Sequence, residues 1–334
     1  MFRKILGNYY VRKIIYYAVV VWAGITISFL IPRLTPGDPI GHIVAQLEAV
    51  AGVRGDTEFI EAWKARFGLD QPIHIQYVKY LLATIRGDFG ISMSAYPTLV
   101  SSIIKRALPW TIGLLSITSV VSWILGSIIG GIAGAKSDSK LAKALSPIAI
   151  VFGIIPYYQL AIILSYLFAF LWPIFPMGGA HPVELLPEFN IRFILGVIHH
   201  AALPALSIII SSLLWWFLSM KSIVQDVINE DYVMYARARG FSERKVFRKY
   251  IFRNSLLPQT TGLALSLGNI MTGSILVEVV FRYPGIGWLL LHAVQTADYT
   301  LMQGIINLFV INIIVAIATI ELLYPKIDPR VKFG

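Results

Sequence analysis

The sequence predicts an all-α membrane protein with six transmembrane helices and a small extracytoplasmic insertion after the first helix. Hydrophobic residues make up 57% of the 334 residues, charged residues make up 14%, and the mean hydropathy is +0.71. A soluble domain carries about 25% charged residues, so a bilayer is the better solvent for this composition. Six uncharged apolar runs are long enough to cross a hydrocarbon core of about 30 Å as helices. They are Ile14 to Ile31, segments within Ala107 to Ala135 and within Ala144 to Trp172, and the runs Phe193 to Met220, Ser255 to Val277 and Tyr299 to Ile320.

The lysine and arginine distribution predicts that both termini are cytoplasmic. Of the 28 such residues, eighteen flank the inner ends of the runs, whereas Arg192 and Arg282 occupy the short opposite loops. Positive charge is retained on the cytoplasmic side of multi-pass membrane proteins, so topology explains the net charge of +10, and no nucleic-acid partner is expected. The first run is expected to be an uncleaved anchor rather than a signal peptide, because it is longer than a signal core. We therefore expect a multi-pass protein of the plasma membrane.

These spans divide the chain into four predicted regions. Residues 1–31 form the cytoplasmic N-terminus and the first transmembrane helix, and residues 32–106 form the extracytoplasmic insertion. Residues 107–324 form a five-helix core that includes a cytoplasmic loop at 221–258. A cytoplasmic tail, residues 325–334, completes the division.

The insertion is predicted to contain two amphipathic helices, with Gly68 as the C-cap of the first. Two interpretations stay open at this point. The insertion is either a cap packed on the outer ends of the spans or a surface that meets a substrate or a delivery protein. Candidate contacts for a delivery protein are Trp63, Tyr77, Tyr80 and Asp88.

The cytoplasmic loop at 221–258 is predicted to form a short helix, a turn and a second short helix that begins at Ser242. Gly240 permits a sharp turn, and the small side chains of Ala236 and Ala238 would allow a partner to approach closely. The arginines of the loop could pair with carboxylates of that partner. A positively charged loop that only determines topology is the alternative interpretation.

The segment Glu230 to Gly240 (EDYVMYARARG), with Pro258 eighteen residues after the glycine, resembles the EAA loop of ABC importer permeases. The resemblance is closest to the peptide and nickel permease family, specifically the first permease of dipeptide and oligopeptide importers. Two positions depart from the family pattern: Tyr235 replaces Thr or a small residue, and Arg239 replaces a common lysine. Further landmarks follow in family order: Pro36 to Pro39, Gly68 to Pro72, Gly87 to Gly90, His200 to Pro204, Glu278 to Gly287, Asp298-Tyr299, Gln303-Gly304 and Asp328 to Arg330.

The resemblance implies a type I ABC importer permease that is not an enzyme. Its implied partners are a second homologous permease, two ABC ATPase subunits, an extracytoplasmic substrate-binding protein and the lipid bilayer. ATP and Mg would be bound by the ATPases, and this chain would bind no cofactor. Short peptides are the implied cargo, with oligosaccharides or nickel chelates as alternatives. The residues implied to couple to an ATPase are Asp231, Tyr232, Tyr235, Ala236, Arg237, Ala238, Arg239, Gly240, Ser242 and Arg244.

Other functional classes fit the sequence less well. An ion-coupled secondary transporter, the alternative class, should show an internal repeat and buried titratable groups, and neither is clear. A P-loop is suggested by residues 130–137 (GGIAGAKS), but Ala135 separates glycine from lysine and the segment ends an apolar run, so we expect helix packing there. A metal site is not expected, because the adjacent His199 and His200 diverge by about 100° on a helix.

Polar side chains within the apolar runs are the candidates for lining a translocation pathway. Each could instead form interhelical hydrogen bonds, which is the more common role of such residues in membranes. The candidates are Gln159, Asn269, Gln303, Asn307 and Asn312.

Overall fold

The computed structural model of the chain describes residues 9–34, 41, 57–185, 188, 190–268 and 275–327. Within these ranges the regular structure is helical, apart from an isolated β-bridge between Ile91 and Leu99. Two π-helical segments, Tyr166–Leu171 and Phe247–Phe252, follow α6 and α9. The described α-helices are α1 (Tyr9–Leu34), α2 (Thr57–Arg66), α3 (Ile73–Ile85), α4 (Val100–Ala135), α5 (Lys140–Gly153), α6 (Tyr157–Ser165), α7 (Ile191–Val227), α8 (Asp231–Ala238), α9 (Glu243–Val246), α10 (Arg253–Gly268), α11 (Ile275–Val280), α12 (Ile286–Gln295) and α13 (Tyr299–Ile327).

Four of the six predicted spans are single apolar helices long enough to cross a membrane. They lie in α1, α4, α7 and α13, with apolar windows of mean hydropathy 2.0 to 2.2. The membrane-helix class is therefore confirmed. These helices were predictable because long uncharged runs leave helical hydrogen bonding as the way to satisfy the backbone in lipid.

The third predicted span is interrupted, and part of the fifth lies outside the described residues. In the third, Ala142–Gly153 and Tyr157–Leu171 meet at an angle of 95°. Pro156 precedes α6 as its N-cap residue, and proline there cannot continue the hydrogen bonding of the preceding helix. The third predicted span is thus sharply broken and is not one continuous helix. The fifth predicted span falls on α10 and α11, and residues 269–274 between them lie outside the described residues.

Two compact units make up the chain, and α4 contributes to both. One unit comprises Met1–Pro109 and Ile286–Gly334, and the other comprises Trp110–Gly285. This division groups the first and last spans with the insertion. The predicted division into four regions is a different subdivision and stays a prediction.

A row of glycines packs α4 against α7 in the Trp110–Gly285 unit. A Cβ atom added at Gly126 would lie 2.8 Å from the carbonyl oxygen of Leu213, and one at Gly134 would lie 2.8 Å from that of Lys221. Gly130, between them, is closer still to the backbone of α7, at the carbonyl oxygen of Phe217. Glycines spaced four residues apart let two membrane helices approach at backbone distance. The helix-packing interpretation of residues 130–137 is confirmed.

In the unit formed by Met1–Pro109 and Ile286–Gly334, the carboxylate of Asp298 joins the turn before α4 to the start of α13. It accepts hydrogen bonds from the backbone N–H groups of Ser94 (2.9 Å) and Leu301 (3.0 Å) and from the hydroxyl groups of Ser92, Ser94 and Thr300. Burial acts to raise the pKa of Asp298, but these donors outweigh it, so the pKa lies below its ordinary value. The ionised carboxylate is the form that this turn stabilises.

Candidate functional site

The predicted cytoplasmic loop at 221–258 is a folded knob with its own apolar core. One face of α8 carries Val233 and Ala236, three residues apart, and both are buried. Apolar residues at this spacing lie on the same side of a helix. They pack with the last turns of α7 and with the segment that follows α9. The buried members of this core are Met220, Val224, Val233, Ala236, Val246 and Ile251.

The opposite face of α8 is exposed and rich in aromatic and basic side chains. Tyr235 is 73% exposed, Met234 55% and Tyr232 39%. Aromatic residues, methionine and arginine are the residue types enriched in protein–protein interfaces. The arrangement presents a contiguous surface of the kind a protein partner covers. Of the ten residues predicted to couple to an ATPase, nine are exposed: Asp231, Tyr232, Tyr235, Arg237, Ala238, Arg239, Gly240, Ser242 and Arg244.

Ala236 does not belong to this exposed surface. It is 2% exposed and lies in the core of the knob. Its small side chain therefore allows close packing within the chain, and the prediction that Ala236 offers a partner close approach is wrong. Helical spacing alone could not assign it, because either side of α8 could have faced inward.

The turn after α8 depends on glycine. Gly240 has a φ of +75°, and a Cβ added there would meet nothing within 4 Å. The requirement is therefore conformational, since a left-handed backbone is costly for other residues. Ser242 is the N-cap residue of α9, although its side chain makes no capping bond. Across the turn, Arg237 Nε lies 3.2 Å from Glu243 Oε1, an exposed ion pair that adds little stability.

The knob is joined to the membrane helices through α10. The hydroxyl of Ser255 donates to the Ile251 carbonyl at 3.0 Å, and Gln259 Nε2 donates to the hydroxyl of Ser219 on α7 at 2.9 Å. Trp123 of α4 donates its indole N–H to the Gln259 carbonyl at 3.1 Å. Ser255 and Gln259 are both buried. Short polar contacts therefore link α10, which follows the knob, to α4 and α7, and none of these contacts was predicted.

In the other unit, the predicted contacts for a delivery protein mostly face inward. The hydroxyl of Tyr77 lies 2.8 Å from the Thr26 hydroxyl, and that of Tyr80 lies 3.0 Å from the Ser28 hydroxyl, both on α1. Trp63 is half-buried near Met93. Asp88 is the exposed member of the four candidates, and it accepts the Gly90 N–H at 2.9 Å. For these tyrosines the structure favours the packed cap over the contact surface.

A cavity of about 250 Å³ lies within the same unit, where α3 and the turn after it meet α13. Two pathway candidates, Gln303 and Asn307, line it and are buried. Asn307 Nδ2 donates to the Tyr80 hydroxyl at 2.7 Å. Arg33, at the end of α1, also lines the cavity. Sequence reasoning missed Arg33, although an arginine at the predicted outer end of a span runs against the positive-inside pattern.

The remaining pathway candidates lie elsewhere. Gln159 is exposed on α6, and Asn312 is half-buried on α13. Asn269 lies outside the described residues. Gln303 and Asn307 are thus the two described candidates that share a cavity lining. Apolar runs identify polar residues but do not tell which face of a helix carries them, so the difference in burial between Gln159 and Asn307 could not be predicted.

His199 and His200 each engage a backbone carbonyl. His199 Nε2 lies 3.0 Å from the Ile174 oxygen, and His200 Nδ1 lies 2.9 Å from the Gly196 oxygen. Their rings are nearly perpendicular, at 87°. Across the described residues no group of three or more His, Cys, Asp or Glu side chains is placed to hold a metal ion.

Comparison with known proteins gives consistent results over nearly the whole chain. Residues 126–333 match the family model described as "Binding-protein-dependent transport system inner membrane component". The chain is 29% identical over 329 residues to the oligopeptide transport system permease protein AppB of Bacillus subtilis (strain 168), covering 98% of this chain and all of that protein. It is 31% identical over 331 residues to the glutathione transport system permease protein GsiC of Salmonella paratyphi A, covering 98% and 99%. A putative peptide permease of Brucella suis is 31% identical over 304 residues, covering 91% of this chain and 92% of that protein.

Proposed function

This chain belongs to the family of inner membrane components of binding-protein-dependent transport systems, and from that premise we propose that it forms half of the pathway of an ATP-driven importer of short peptides. The chain is a multi-pass membrane permease and not an enzyme, so ATP hydrolysis is the work of separate subunits. The peptide cargo is inferred from the printed functions of its relatives, which are named for oligopeptides and glutathione.

The proposed assembly contains a second, homologous permease, two ATPase subunits that bind ATP and Mg, and an extracytoplasmic substrate-binding protein. Both termini of the chain and the 221–258 loop would lie in the cytoplasm, and the insertion would lie outside. The basic residues at the inner ends of the spans support this orientation.

The observation that carries the proposal is the two-sided character of α8. Its buried side anchors the helix to α7, and its exposed side offers Tyr235 and Arg237 to a partner. An ATPase that binds the exposed side of α8 would move the knob as one body, because the core of the knob is packed and is hydrogen-bonded to α10. ATP-driven closure of the ATPases would then bias the membrane helices between two arrangements.

The coupling role is tested with the whole complex in proteoliposomes. We expect Arg237→Glu to weaken copurification of the ATPase and to separate ATP hydrolysis from peptide uptake, because it reverses a charge on the exposed face. Gly240→Pro should do the same by preventing the left-handed turn. Lys140→Glu is the control, since it makes an equal charge change at an exposed position outside this loop. Wild-type coupling in both loop variants would refute the role of α8.

The cargo is tested separately with the partner binding protein and ATP-loaded vesicles. Uptake of labelled di- to pentapeptides is expected, and oligosaccharides and a nickel chelate serve as competitors. Transport of an oligosaccharide with no peptide uptake would replace the peptide assignment while leaving the permease assignment intact.

A further inference from the structure

Arg33 places a positive charge on the wall of the cavity, and none of the described residues forms an ion pair with it. The guanidinium lies 3.6 Å from the centroid of the Phe29 ring and donates to the Phe29 carbonyl at 2.9 Å and to Gln76 Oε1 at 2.8 Å. Both acceptors are neutral, and a guanidinium carries five N–H donors. Among the residues that the structure describes, no carboxylate forms an ion pair with Arg33. Donor capacity is therefore left for an anion in the cavity.

Two buried amide atoms of lining residues lack hydrogen-bond partners among the described residues. Gln303 is 6% exposed, and its Nε2 donor has no hydrogen-bond partner among the described residues. Asn307 is fully buried, and its Oδ1 acceptor likewise has none there. Buried polar groups are nearly always satisfied in native proteins. A bound molecule that offers an acceptor to Gln303 and a donor to Asn307 would complete both.

The charge balance of the lining selects an anion. Lys79 adds a second cation, although its ammonium donates to Gln71 Oε1 at 2.8 Å. The one acid among the described lining residues is Asp88, whose side chain already accepts the Gly90 N–H. The electrostatic potential of the wall therefore favours a negative group next to Arg33.

The shape and the apolar part of the lining select an organic anion of small size. Phe67, Leu69, Phe89 and Met93 form the apolar wall, which an inorganic ion would leave uncovered. A volume of about 250 Å³ is below the usual range of about 300–1,000 Å³ for drug-sized ligands. The planar fork of an arginine matches a carboxylate in two parallel hydrogen bonds.

We propose that this cavity is a binding site for the carboxylate of a small organic ligand, held by Arg33 and Gln303. The carboxylate could belong to a free acid or to the C-terminus of a short peptide, and the two share the same recognition chemistry. An α-amino or amide N–H of the ligand would serve Asn307. The site is distinct from the coupling function of α8 and stands whether or not the transported cargo is a peptide.

The experiment uses the permease pair with its ATPases in nanodiscs, without the binding protein, and measures binding by calorimetry. The probes are acetate, the dipeptide Ala-Ala and its C-terminal amide. We expect acetate and Ala-Ala to bind, and the amide to bind at least about tenfold more weakly, because it lacks the charge that pairs with Arg33. Binding of acetate but not of Ala-Ala would assign the site to free acids, and binding of both would include peptide C-termini.

Variants decide whether the cavity is responsible. Arg33→Gln should lower acetate affinity at least about tenfold, whereas Arg86→Gln, an exposed arginine just after α3 that does not line the cavity, should leave it unchanged. Gln303→Glu should abolish binding, because it places a carboxylate in the cavity, and Gln303→Met should weaken binding by removing the donor. The two Gln303 variants decide the question if Arg33→Gln does not assemble.

Three results would overturn the proposal. The first is no binding of either carboxylate probe, which would mean that water alone satisfies the buried amides. The second is measurable binding of Ala-Ala and of its amide with equal affinity. The third is wild-type affinity in the folded cavity variants. Peptide uptake could persist in every one of these cases, so failure here is distinguishable from failure of the proposed transport function.

Discussion

The knob around α8 and the insertion around α3 use their aromatic residues in opposite ways. In the knob, Tyr232 and Tyr235 are exposed, and the buried core members are Met220 and small or aliphatic side chains. In the insertion, Tyr77 and Tyr80 bond to α1 through their hydroxyl groups. Both helices are short and both carry tyrosines at helical spacing. The difference shows that tyrosines on a short helix indicate a surface for a partner protein when other residues of that helix form the buried core. When the tyrosines themselves bond to a neighbouring helix, they indicate packing within the chain.

Substitution at the core of the knob should have the largest effect. Ala236→Asp buries a carboxylate without a partner and should destabilise the fold by at least about 4 kcal/mol. Ala238→Asp, on the exposed face of the same helix, should change stability by no more than about 0.5 kcal/mol. Thermal unfolding of the purified complex in detergent measures both. Similar stabilities for the two variants would remove the distinction between the buried and exposed sides of α8.

Loss of the Asp298 carboxylate should have the next largest effect. Asp298→Ala leaves the donors of Ser92, Ser94 and Leu301 without their acceptor, which should cost about 3 kcal/mol. The pKa of this group is lowered on folding, so its contribution is present above the unfolded pKa of about 4 and is lost as pH falls through the folded value. Unfolding midpoints measured from pH 7 down to acid should therefore converge for wild type and variant. A constant gap across that range would contradict the role of the ionised form.

The two sets of tyrosines can be compared directly by removing hydroxyl groups. Tyr80→Phe breaks the bonds to Ser28 and Asn307 and should cost about 1–2 kcal/mol. Tyr235→Phe removes a hydroxyl on a side chain that is 73% exposed and should be neutral in stability. The comparison fails if Tyr235→Phe is as destabilising as Tyr80→Phe in the same unfolding assay.

The turn of the knob should show the smallest effect. Gly240→Ala places a side chain in open space but at a φ of +75°, which should cost about 1 kcal/mol. Gly153→Ala is the matched control, because a Cβ there also meets nothing within 4 Å and no left-handed φ is involved. Gly153→Ala should be neutral or slightly stabilising in the same measurement. Equal effects would mean that space rather than backbone conformation determines the glycine at 240.

The long spans, the turn at Gly240 and the glycine packing of α4 were predictable, because each depends on local composition and spacing. The side of α8 that Ala236 faces was not, since a short helix with apolar residues around it has no unique inward direction. The cavity at Arg33 could not be predicted from the sequence, for another reason. Arg33, Gln76 and Gln303 come from distant parts of the chain, and their meeting depends on how α1, α3 and α13 pack. The landmark residues identified the family without indicating these contacts.

The glycine row between α4 and α7 bears on how far a small tilt of these helices displaces their ends. Backbones in contact at Gly126, Gly130 and Gly134 would collide if they slid past each other, so we expect the two helices to tilt as a pair. With 37 residues, α7 is about 55 Å long at 1.5 Å per residue. A tilt of about 5° about the Val227 end of α7 would displace the Ile191 end sideways by about 5 Å. This distance is comparable to the width of an amino-acid side chain.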